Sequence, residues 1–226
     1  MARFTRIQTV LAMEETGLVP LFYHSDPGTC REVISACHAG GARLFEFTNR
    51  GDFAHEVFAE VKKWAAGHCP AMIIGAGSVA DAPTAAIFMQ MGADFIVAPT
   101  LNPDVARICN RRKVLWIPGC ATLTEISQAE ELGAEIVKIF PGNAAGGPSF
   151  VKAVKGPSPW TSIMPTGGVE PTEKNLKEWF DAGVTCVGMG SRLITDSHVK
   201  AAAWHEITAK VRETLEIIGT LRAATS

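Results

Sequence analysis

Eight short apolar runs recur along the chain, each followed by a polar or glycine-rich break and then a helical pattern. They begin 20 to 29 residues apart, which is the length of one strand and one helix. Most are apolar on both faces, as strands of a parallel sheet covered by helices should be. Eight such units predict an α/β fold, a closed parallel (β/α)8 TIM barrel, rather than an open sheet of five or six strands. The runs span residues 18–24, 42–48, 71–78, 94–100, 114–120, 136–142, 162–168 and 186–191.

Glycines mark the ends of four helical patterns, where a left-handed residue returns the chain to the next strand. An amphipathic segment at 4–17 precedes the first run and is predicted to be a helix that caps the N-terminal mouth of the barrel. No linker or shift of composition interrupts the alternation, so residues 1–226 are predicted to form a single domain. The terminating glycines are the pair Gly40-Gly41 and the single residues Gly92, Gly133 and Gly183.

Composition excludes several classes of protein. With 47% hydrophobic and 19% charged residues, the chain is too apolar for disorder. Its net charge is −2, and its densest basic cluster, at 111–113, is interpreted as a solvated turn, so no nucleic-acid partner is expected. The sequence has neither an apolar stretch of about 18 residues nor a signal-peptide core. We therefore expect no membrane partner and a cytoplasmic location.

The six cysteines form no C-x-x-C pair and lie in apolar segments, which predicts free, mostly buried thiols in a reducing compartment. The six histidines show no metal-site spacing with a third ligand. No metal ion is expected.

Lys138 is the lone cation in the apolar run at 136–142. Active sites of α/β barrels lie at the carboxyl ends of the strands, where polar residues are therefore candidates. Burying an unpaired ammonium disfavours its charged form, and a neutral amine attacks carbonyl carbon. Lys138 is thus either a Schiff-base lysine or a lysine on a frayed strand whose side chain reaches water.

Glu46 lies between two phenylalanines in the run at 42–48, and Arg50 follows just past its end. A buried carboxylate with a raised pKa suits general acid/base chemistry. A guanidinium at a barrel mouth can hold a carboxylate or a phosphate through two parallel hydrogen bonds. The alternatives are a structural Glu46–Arg50 ion pair and a surface pair of Arg50 with Asp52.

Two glycine-rich turns end the last two runs, Gly167-Gly168 and Gly190-Ser191. Barrels frequently bind phosphate at this position, because glycine exposes backbone N–H groups. Plain tight turns are the alternative. Arg192 has the opposite parity to Ser191 along an extended chain, so its side chain is expected in the outer layer.

Hydroxyls also lie near strand ends, at Ser78 and Thr166, where they either bind substrate oxygen or begin the next turn. The glycine-rich segment at 142–147 lacks the G-x-G-x-x-G pattern. It is interpreted as a flexible loop over the site rather than a dinucleotide-binding turn.

In combination, five motifs resemble the 2-keto-3-deoxy-6-phosphogluconate (KDPG) and 4-hydroxy-2-oxoglutarate (KHG) aldolases. They occur in order over residues 18–193, and only the combination is specific. The motifs are Glu46-x-Thr48-x-Arg50, Gly75-Ala76-Gly77-Ser78, Val137-Lys138-Ile139-Phe140-Pro141, Pro165-Thr166-Gly167-Gly168-Val169 and Gly190-Ser191.

The resemblance implies a class I aldolase that needs no metal and no cofactor beyond a covalent imine between Lys138 and its substrate. It implies Glu46 as the general acid/base and a homotrimer as the assembly. The substrate would be a phosphorylated keto acid, cleaved to pyruvate and an aldehyde. For binding it implies Arg50 and Thr166 at the carboxylate, Phe140 and Ser78 packed against the substrate, and Gly167, Gly168, Gly190 and Ser191 at the phosphate.

Ser78 and Arg192 depart from the commonest family pattern, as do the segments at 49–52 and 142–147. These departures leave the reaction class intact but affect the aldehyde portion of the substrate, so a phosphogalactonate-type substrate stays open beside KDPG. Two other hypotheses for the function also stay open. One is a phosphosugar isomerase or epimerase, and the other is a non-catalytic phosphate-binding barrel in which Lys138 merely pairs with Glu46.

Overall fold

A computed structural model describes residues 2–224, in which ten α-helices alternate with nine parallel β-strands. The strands are β1 (Leu18–Phe22), β2 (Leu44–Thr48), β3 (Ile73–Gly77), β4 (Phe95–Val97), β5 (Leu115–Ile117), β6 (Gly119–Cys120), β7 (Val137–Ile139), β8 (Ile163–Pro165) and β9 (Val187–Met189). The helices are α1 (Arg6–Thr16), α2 (Pro27–Ala39), α3 (Ala54–His68), α4 (Ala82–Gln90), α5 (Pro103–Arg112), α6 (Leu123–Glu131), α7 (Gly147–Lys155), α8 (Glu173–Asp181), α9 (Asp196–Lys200) and α10 (Trp204–Ala223).

The strands form two parallel ladders, a six-stranded sheet in the order β5-β4-β3-β2-β1-β9 and a three-stranded sheet in the order β6-β7-β8. Every predicted run contains a strand, but the run at 114–120 contains two. Pro118 separates β5 from β6, and a proline cannot donate a ladder hydrogen bond. The continuous eight-stranded ladder that the sequence predicts is therefore divided.

Two seams join the ladders. At the first, β5 runs into β6 through Pro118, and an added Cβ on Gly119 would lie only 2.1 Å from the Pro99 carbonyl oxygen. The backbone of β6 thus packs directly on the end of β4. At the second seam, an isolated parallel bridge pairs Thr166 with Gly188. The two sheets together make one curled, parallel surface.

The N-terminal helix, α1, packs across the amino-terminal end of this curled sheet. Ala12 and Met13 on α1 are buried against a cluster of inward-facing side chains that come from eight of the strands or from the residues directly before them. Thr5 caps the helix in a capping box with Gln8. The predicted capping role of the segment at 4–17 is confirmed. The remaining cluster members are Val19, Leu44, Ile73, Phe95, Val97, Leu115, Ile117, Ile136, Met164 and Cys186.

A buried ion pair lies at the amino ends of β3 and β4. Lys62 on α3 pairs with Asp94, and both side chains are almost fully buried. Asp94 also accepts hydrogen bonds from the backbone N–H groups of Arg3 (2.7 Å), Phe4 (3.4 Å) and Ile74 (2.9 Å). One carboxylate thereby ties the N-terminal segment to two strands.

Each of the four predicted helix ends contains a left-handed glycine, and in the pair Gly40-Gly41 it is Gly41. The φ of Gly40 is −76°. Gly40 is required for space instead, because an added Cβ would lie 2.8 Å from the Thr208 carbonyl oxygen of α10.

All six cysteines are free and buried, as predicted. Within residues 2–224, no helix is long and apolar enough to cross a membrane.

Candidate active site

Glu46 occupies the centre of β2 and is almost completely buried. Its carboxylate lies over Gly77 of β3, where a Cβ would come within 1.8 Å of Glu46 Oε1. The other oxygen, Oε2, is buried without a hydrogen-bond partner among the described residues. Burial raises the pKa of this carboxyl group, while the charges of Lys138 and Arg50 partly oppose the increase.

Lys138 lies in the middle strand of the small sheet, in register with Gly119 on one side and Met164 on the other. Its side chain is 5% exposed. The ammonium nitrogen lies 4.8 Å from the centre of the Phe140 ring, in cation–π geometry. In residues 2–224, Lys138 Nζ makes no hydrogen bond and no ion pair.

Neither alternative ion pair of Glu46 is present. Glu46 pairs with neither Arg50 nor Lys138 in the part of the chain that the structure describes. Both cations nonetheless lie near enough to lower the pKa of Glu46. The site therefore holds a buried carboxyl group and a buried amine that lie near each other without forming an ion pair.

Thr166 follows β8 and has a buried hydroxyl with no hydrogen-bond partner among residues 2–224. Gly188 of the neighbouring strand makes room for it, since a Cβ there would approach Thr166 Oγ1 to 2.4 Å. A buried hydroxyl without a partner is costly in a folded protein. It is therefore available to a ligand.

A cleft of about 430 Å³ opens at the carboxyl ends of the strands. Lys138 and Glu46 do not line its surface, but each is buried beside a residue that does, Phe140 and Thr48 respectively. Seven of the ten predicted site residues line the cleft: Arg50, Phe140, Thr166, Gly167, Gly168, Gly190 and Ser191.

Ser78 does not line the cleft. It directly follows β3 in a left-handed conformation, with φ of +57°, and its side chain is half-buried. The structure therefore uses Ser78 to turn the chain after β3.

The glycine-rich turns after β8 and β9 present backbone donors to the cleft. Gly167 and Gly168 are both left-handed, with φ of +90° and +80°. Within the described residues, the N–H groups of Gly168, Gly190 and Ser191 have no hydrogen-bond acceptor. Unpaired N–H groups that converge on a cavity suit an anion such as phosphate.

Two expectations about neighbouring segments are wrong. The segment at 142–147 does not line the cleft but is tied to the end of β8, by hydrogen bonds from Gly142 to Thr166 (2.8 Å) and from Asn143 to Gly167 (3.2 Å). Arg192 lines the cleft instead of entering the outer layer. Strand parity does not apply to it, because β9 ends at Met189 and a turn follows.

Sequence reasoning missed the wall formed by the end of β1 and the start of α9. Tyr23 lines the cleft with its ring packed edge-on against Phe47, the centroids 5.5 Å apart, and Asp196 lines it from the first residue of α9. The signal was available, since Tyr23 follows an apolar strand directly. No group of three or more potential metal-ligating side chains occurs within residues 2–224.

Comparison with known proteins agrees with this geometry. Residues 10–210 match the model of the "KDPG and KHG aldolase" family. A 2-dehydro-3-deoxy-phosphogluconate aldolase of Pseudoalteromonas atlantica is 33% identical over 197 residues, which is 87% of this chain and 88% of the relative. A 2-dehydro-3-deoxy-6-phosphogalactonate aldolase of Escherichia coli is 39% identical over 122 residues, covering 54% of this chain and 58% of that protein.

Among solved structures, a KDPG aldolase from Legionella pneumophila superimposes with a TM-score of 0.82 at 26% identity. The match covers 92% of this chain and 98% of that one, whose crystal structure holds pyruvate as a covalent carbinolamine intermediate. The relatives are carbon–carbon lyases. This chain is therefore an enzyme, and it belongs to the KDPG and KHG aldolase family.

Proposed function

We propose that this aldolase is a class I enzyme that cleaves a 2-keto-3-deoxy-6-phospho sugar acid through an imine on Lys138. The observation that carries the proposal is the buried Lys138 amine, which has no carboxylate partner and lies beside the pKa-raised carboxyl group of Glu46. An ion pair would stabilise the protonated form of the amine, which has no lone pair for attack on a carbonyl. The carbinolamine of the Legionella structure supports this chemistry, since a carbinolamine is the adduct of an amine with a carbonyl.

In the proposed reaction, the amine of Lys138 attacks the C2 carbonyl of the substrate, and loss of water gives a protonated imine. Glu46, acting through a water molecule, takes the proton of the C4 hydroxyl. The C3–C4 bond breaks, its electrons move into the imine to form an enamine, and the aldehyde leaves. Glu46 returns a proton to C3, and hydrolysis releases pyruvate and the free lysine. The imine is the electron sink, so we propose no metal ion and no other cofactor.

Binding roles follow from position in the cleft. We assign the pyruvate carboxylate to Arg50 and Thr166, because Thr166 holds a buried hydroxyl without a partner. Phe140 packs against the pyruvate end. We assign the phosphate to the backbone N–H groups of the two glycine-rich turns, at Gly167, Gly168, Gly190 and Ser191.

For the physiological substrate we propose KDPG, cleaved to pyruvate and glyceraldehyde 3-phosphate, with 4-hydroxy-2-oxoglutarate as a second substrate. The Pseudoalteromonas relative supports KDPG. The second candidate is 2-dehydro-3-deoxy-6-phosphogalactonate, which the 39% identity to the Escherichia coli enzyme favours. Comparing kcat/KM for the three substrates, with released pyruvate measured by a coupled dehydrogenase, ranks them.

Two structural expectations join this proposal. We propose that the two ladders act as one eight-stranded barrel, with 115–120 counting as a single interrupted strand, which the Thr166–Gly188 bridge supports. We also propose a homotrimer. Light scattering behind size exclusion is expected to give three times the mass of one chain.

Borohydride trapping tests the mechanism directly. The enzyme is incubated with pyruvate, reduced, and examined by intact mass and peptide mapping. We expect one reduced pyruvyl adduct on Lys138 and none in Lys138→Met. Absence of an adduct, under conditions that label a known imine enzyme, would overturn the proposal.

A further inference from the structure

Arg192 is placed at the cleft by the turn that follows β9. The N–H groups of Leu193 and Ile194 both donate to the Gly190 carbonyl, at 2.8 and 2.9 Å, so the backbone folds back after Ser191. This turn brings the Arg192 side chain to the cleft while leaving it 70% exposed. The guanidinium therefore lies beside the turn that presents the N–H of Ser191.

The same guanidinium reaches Glu170, which follows the glycine turn after β8. Arg192 Nε lies 3.6 Å from Glu170 Oε1, and no hydrogen bond joins the two side chains. The backbone of Glu170 is held by Asn175, because the Glu170 N–H donates to Asn175 Oδ1 (2.8 Å) and Asn175 Nδ2 donates to the Gly168 carbonyl (3.3 Å). The pair thus links the two glycine turns, but at this distance and exposure it is weak.

Few positive charges line the cleft, and Arg192 is the one that lies next to a glycine-rich turn. The turn donors are neutral N–H groups, whereas a phosphate monoester carries about −1.5 to −2 charges at pH 7. Of the described residues that line the cleft, two are cations: Arg50 after β2 and Arg192 after β9. Asp196 adds a negative charge on the same wall, and Glu170 adds another at the rim. Only Arg192 places a positive charge beside the glycine turns.

We propose that Arg192 determines the preference of this enzyme for phosphorylated substrates. This inference rests on the proposed function. In the free enzyme, the guanidinium makes only the weak 3.6 Å contact with Glu170; when substrate binds, Arg192 exchanges this distant carboxylate for the phosphate, with shorter, charge-assisted hydrogen bonds. The C5 carboxylate of 4-hydroxy-2-oxoglutarate ends three bonds short of the phosphorus of KDPG, so this substrate does not engage Arg192.

The test compares KDPG with 4-hydroxy-2-oxoglutarate in Arg192→Ala. We expect KM for KDPG to rise about 10- to 100-fold, as for loss of a hydrogen bond to a charged group, with kcat little changed. We expect kcat/KM for 4-hydroxy-2-oxoglutarate to stay within about twofold, since no charged contact is lost there. Inorganic phosphate, as an inhibitor competitive with KDPG, is expected to bind more weakly to the same extent. Glu170→Gln is expected to lower KM for KDPG, because the competing carboxylate is gone.

The matched control is Arg107→Ala on α5, which removes an equally exposed arginine paired with Asp104. It should leave both substrates unaffected. Equal loss on both substrates in Arg192→Ala, or no loss on KDPG, would overturn the inference. Borohydride trapping of pyruvate on Lys138 in Arg192→Ala separates the two proposals. An adduct with unchanged KDPG kinetics refutes the role of Arg192 alone, whereas no adduct even in the unmodified enzyme refutes the imine mechanism.

Discussion

The Glu46 carboxylate and the Cα of Gly77 are in such close contact that residue 77 can carry no side chain while Glu46 keeps its position. A Cβ on Gly77 would lie 1.8 Å from Glu46 Oε1 and 2.7 Å from its Cγ. Gly77 is buried at the end of β3, in register with Thr48 on β2. The Glu46 carboxylate thus occupies space that is free only because residue 77 on the neighbouring strand is a glycine.

Gly77→Ala is expected to displace the Glu46 carboxylate while leaving Lys138 in place. Cleavage of KDPG and exchange of the pyruvate methyl protons in D2O should both slow about 100-fold, the usual size of an acid/base contribution. Borohydride should still trap pyruvate on Lys138. Gly67→Ala is the control, since an added Cβ there meets open space. Unchanged proton exchange in Gly77→Ala would show that Glu46 is not the group that moves the proton.

The raised pKa of Glu46 predicts a pH dependence of stability. The folded state binds the Glu46 proton more tightly than the unfolded chain, so this contribution is fully present below the ordinary glutamate pKa of about 4.3. It is lost as pH rises through the folded-state pKa. The unfolding free energy of the unmodified enzyme, relative to Glu46→Gln, should therefore fall across this window and then level off. Urea titrations at a series of pH values measure the difference, and a difference that rises with pH would contradict the prediction.

The same shift predicts the acidic limb of the rate profile. Glu46 must be ionised to accept the C4 proton, so the acidic limb of kcat/KM should have its midpoint above the ordinary glutamate range. A limb near pH 4 would contradict the assignment of this role to Glu46.

Thr166→Val is expected to weaken catalysis without weakening the fold. The substitution removes a buried hydroxyl that has no partner in the described structure, so the unfolding free energy should be unchanged or up to about 1 kcal/mol higher. The KM for keto-acid substrates that release pyruvate should rise about 10-fold, because a hydrogen bond to their C1 carboxylate is lost. Thr161→Val is a matched control, because Thr161 Oγ1 is likewise buried and without a partner but does not line the cleft. It should stabilise the protein similarly and leave KM unchanged. A rise in KM in both variants would argue against a contact between Thr166 and substrate.

Lys62→Met is expected to destabilise the protein by about 3–5 kcal/mol, because Asp94 would be left buried without its cation. Chemical denaturation should show the loss, with Lys63→Met as the control, since Lys63 is exposed on the same helix. The folded fraction should keep its KM values, because this pair lies at the amino ends of the strands. Equal stability of the two variants would indicate that Asp94 is held by its three backbone donors alone.

The sequence predicts the strands and much of the site for one physical reason. Strands buried on both faces are apolar throughout, so a charged residue such as Lys138 or Glu46 stands out against its run. Because parallel strands end at a common edge, residues from distant runs could be assigned to one cleft before any coordinates. Arg50, Phe140 and Thr166 are all found there.

What the sequence does not predict depends on contacts between distant segments. The division of the fifth run follows from Pro118 and from the approach of Gly119 to Pro99. Arg192 reaches the cleft because β9 stops at Met189, and strand ends are the least certain feature of a pattern. Gly40 is explained by the proximity of α10 rather than by its own φ.

The two seams between the ladders have a consequence for the distance between the reactive groups. Glu46 belongs to the six-stranded ladder and Lys138 to the three-stranded one. No continuous row of hydrogen bonds fixes one strand relative to the other. The span from carboxylate to amine is instead set where Pro118 joins β5 to β6 and where β8 meets β9, through the Thr166–Gly188 bridge and the hydrogen bond from the Thr185 N–H to the Ile163 carbonyl (2.8 Å). Small shifts at these two junctions would change the distance between the Glu46 carboxylate and the Lys138 amine without altering the strand pairing within either ladder.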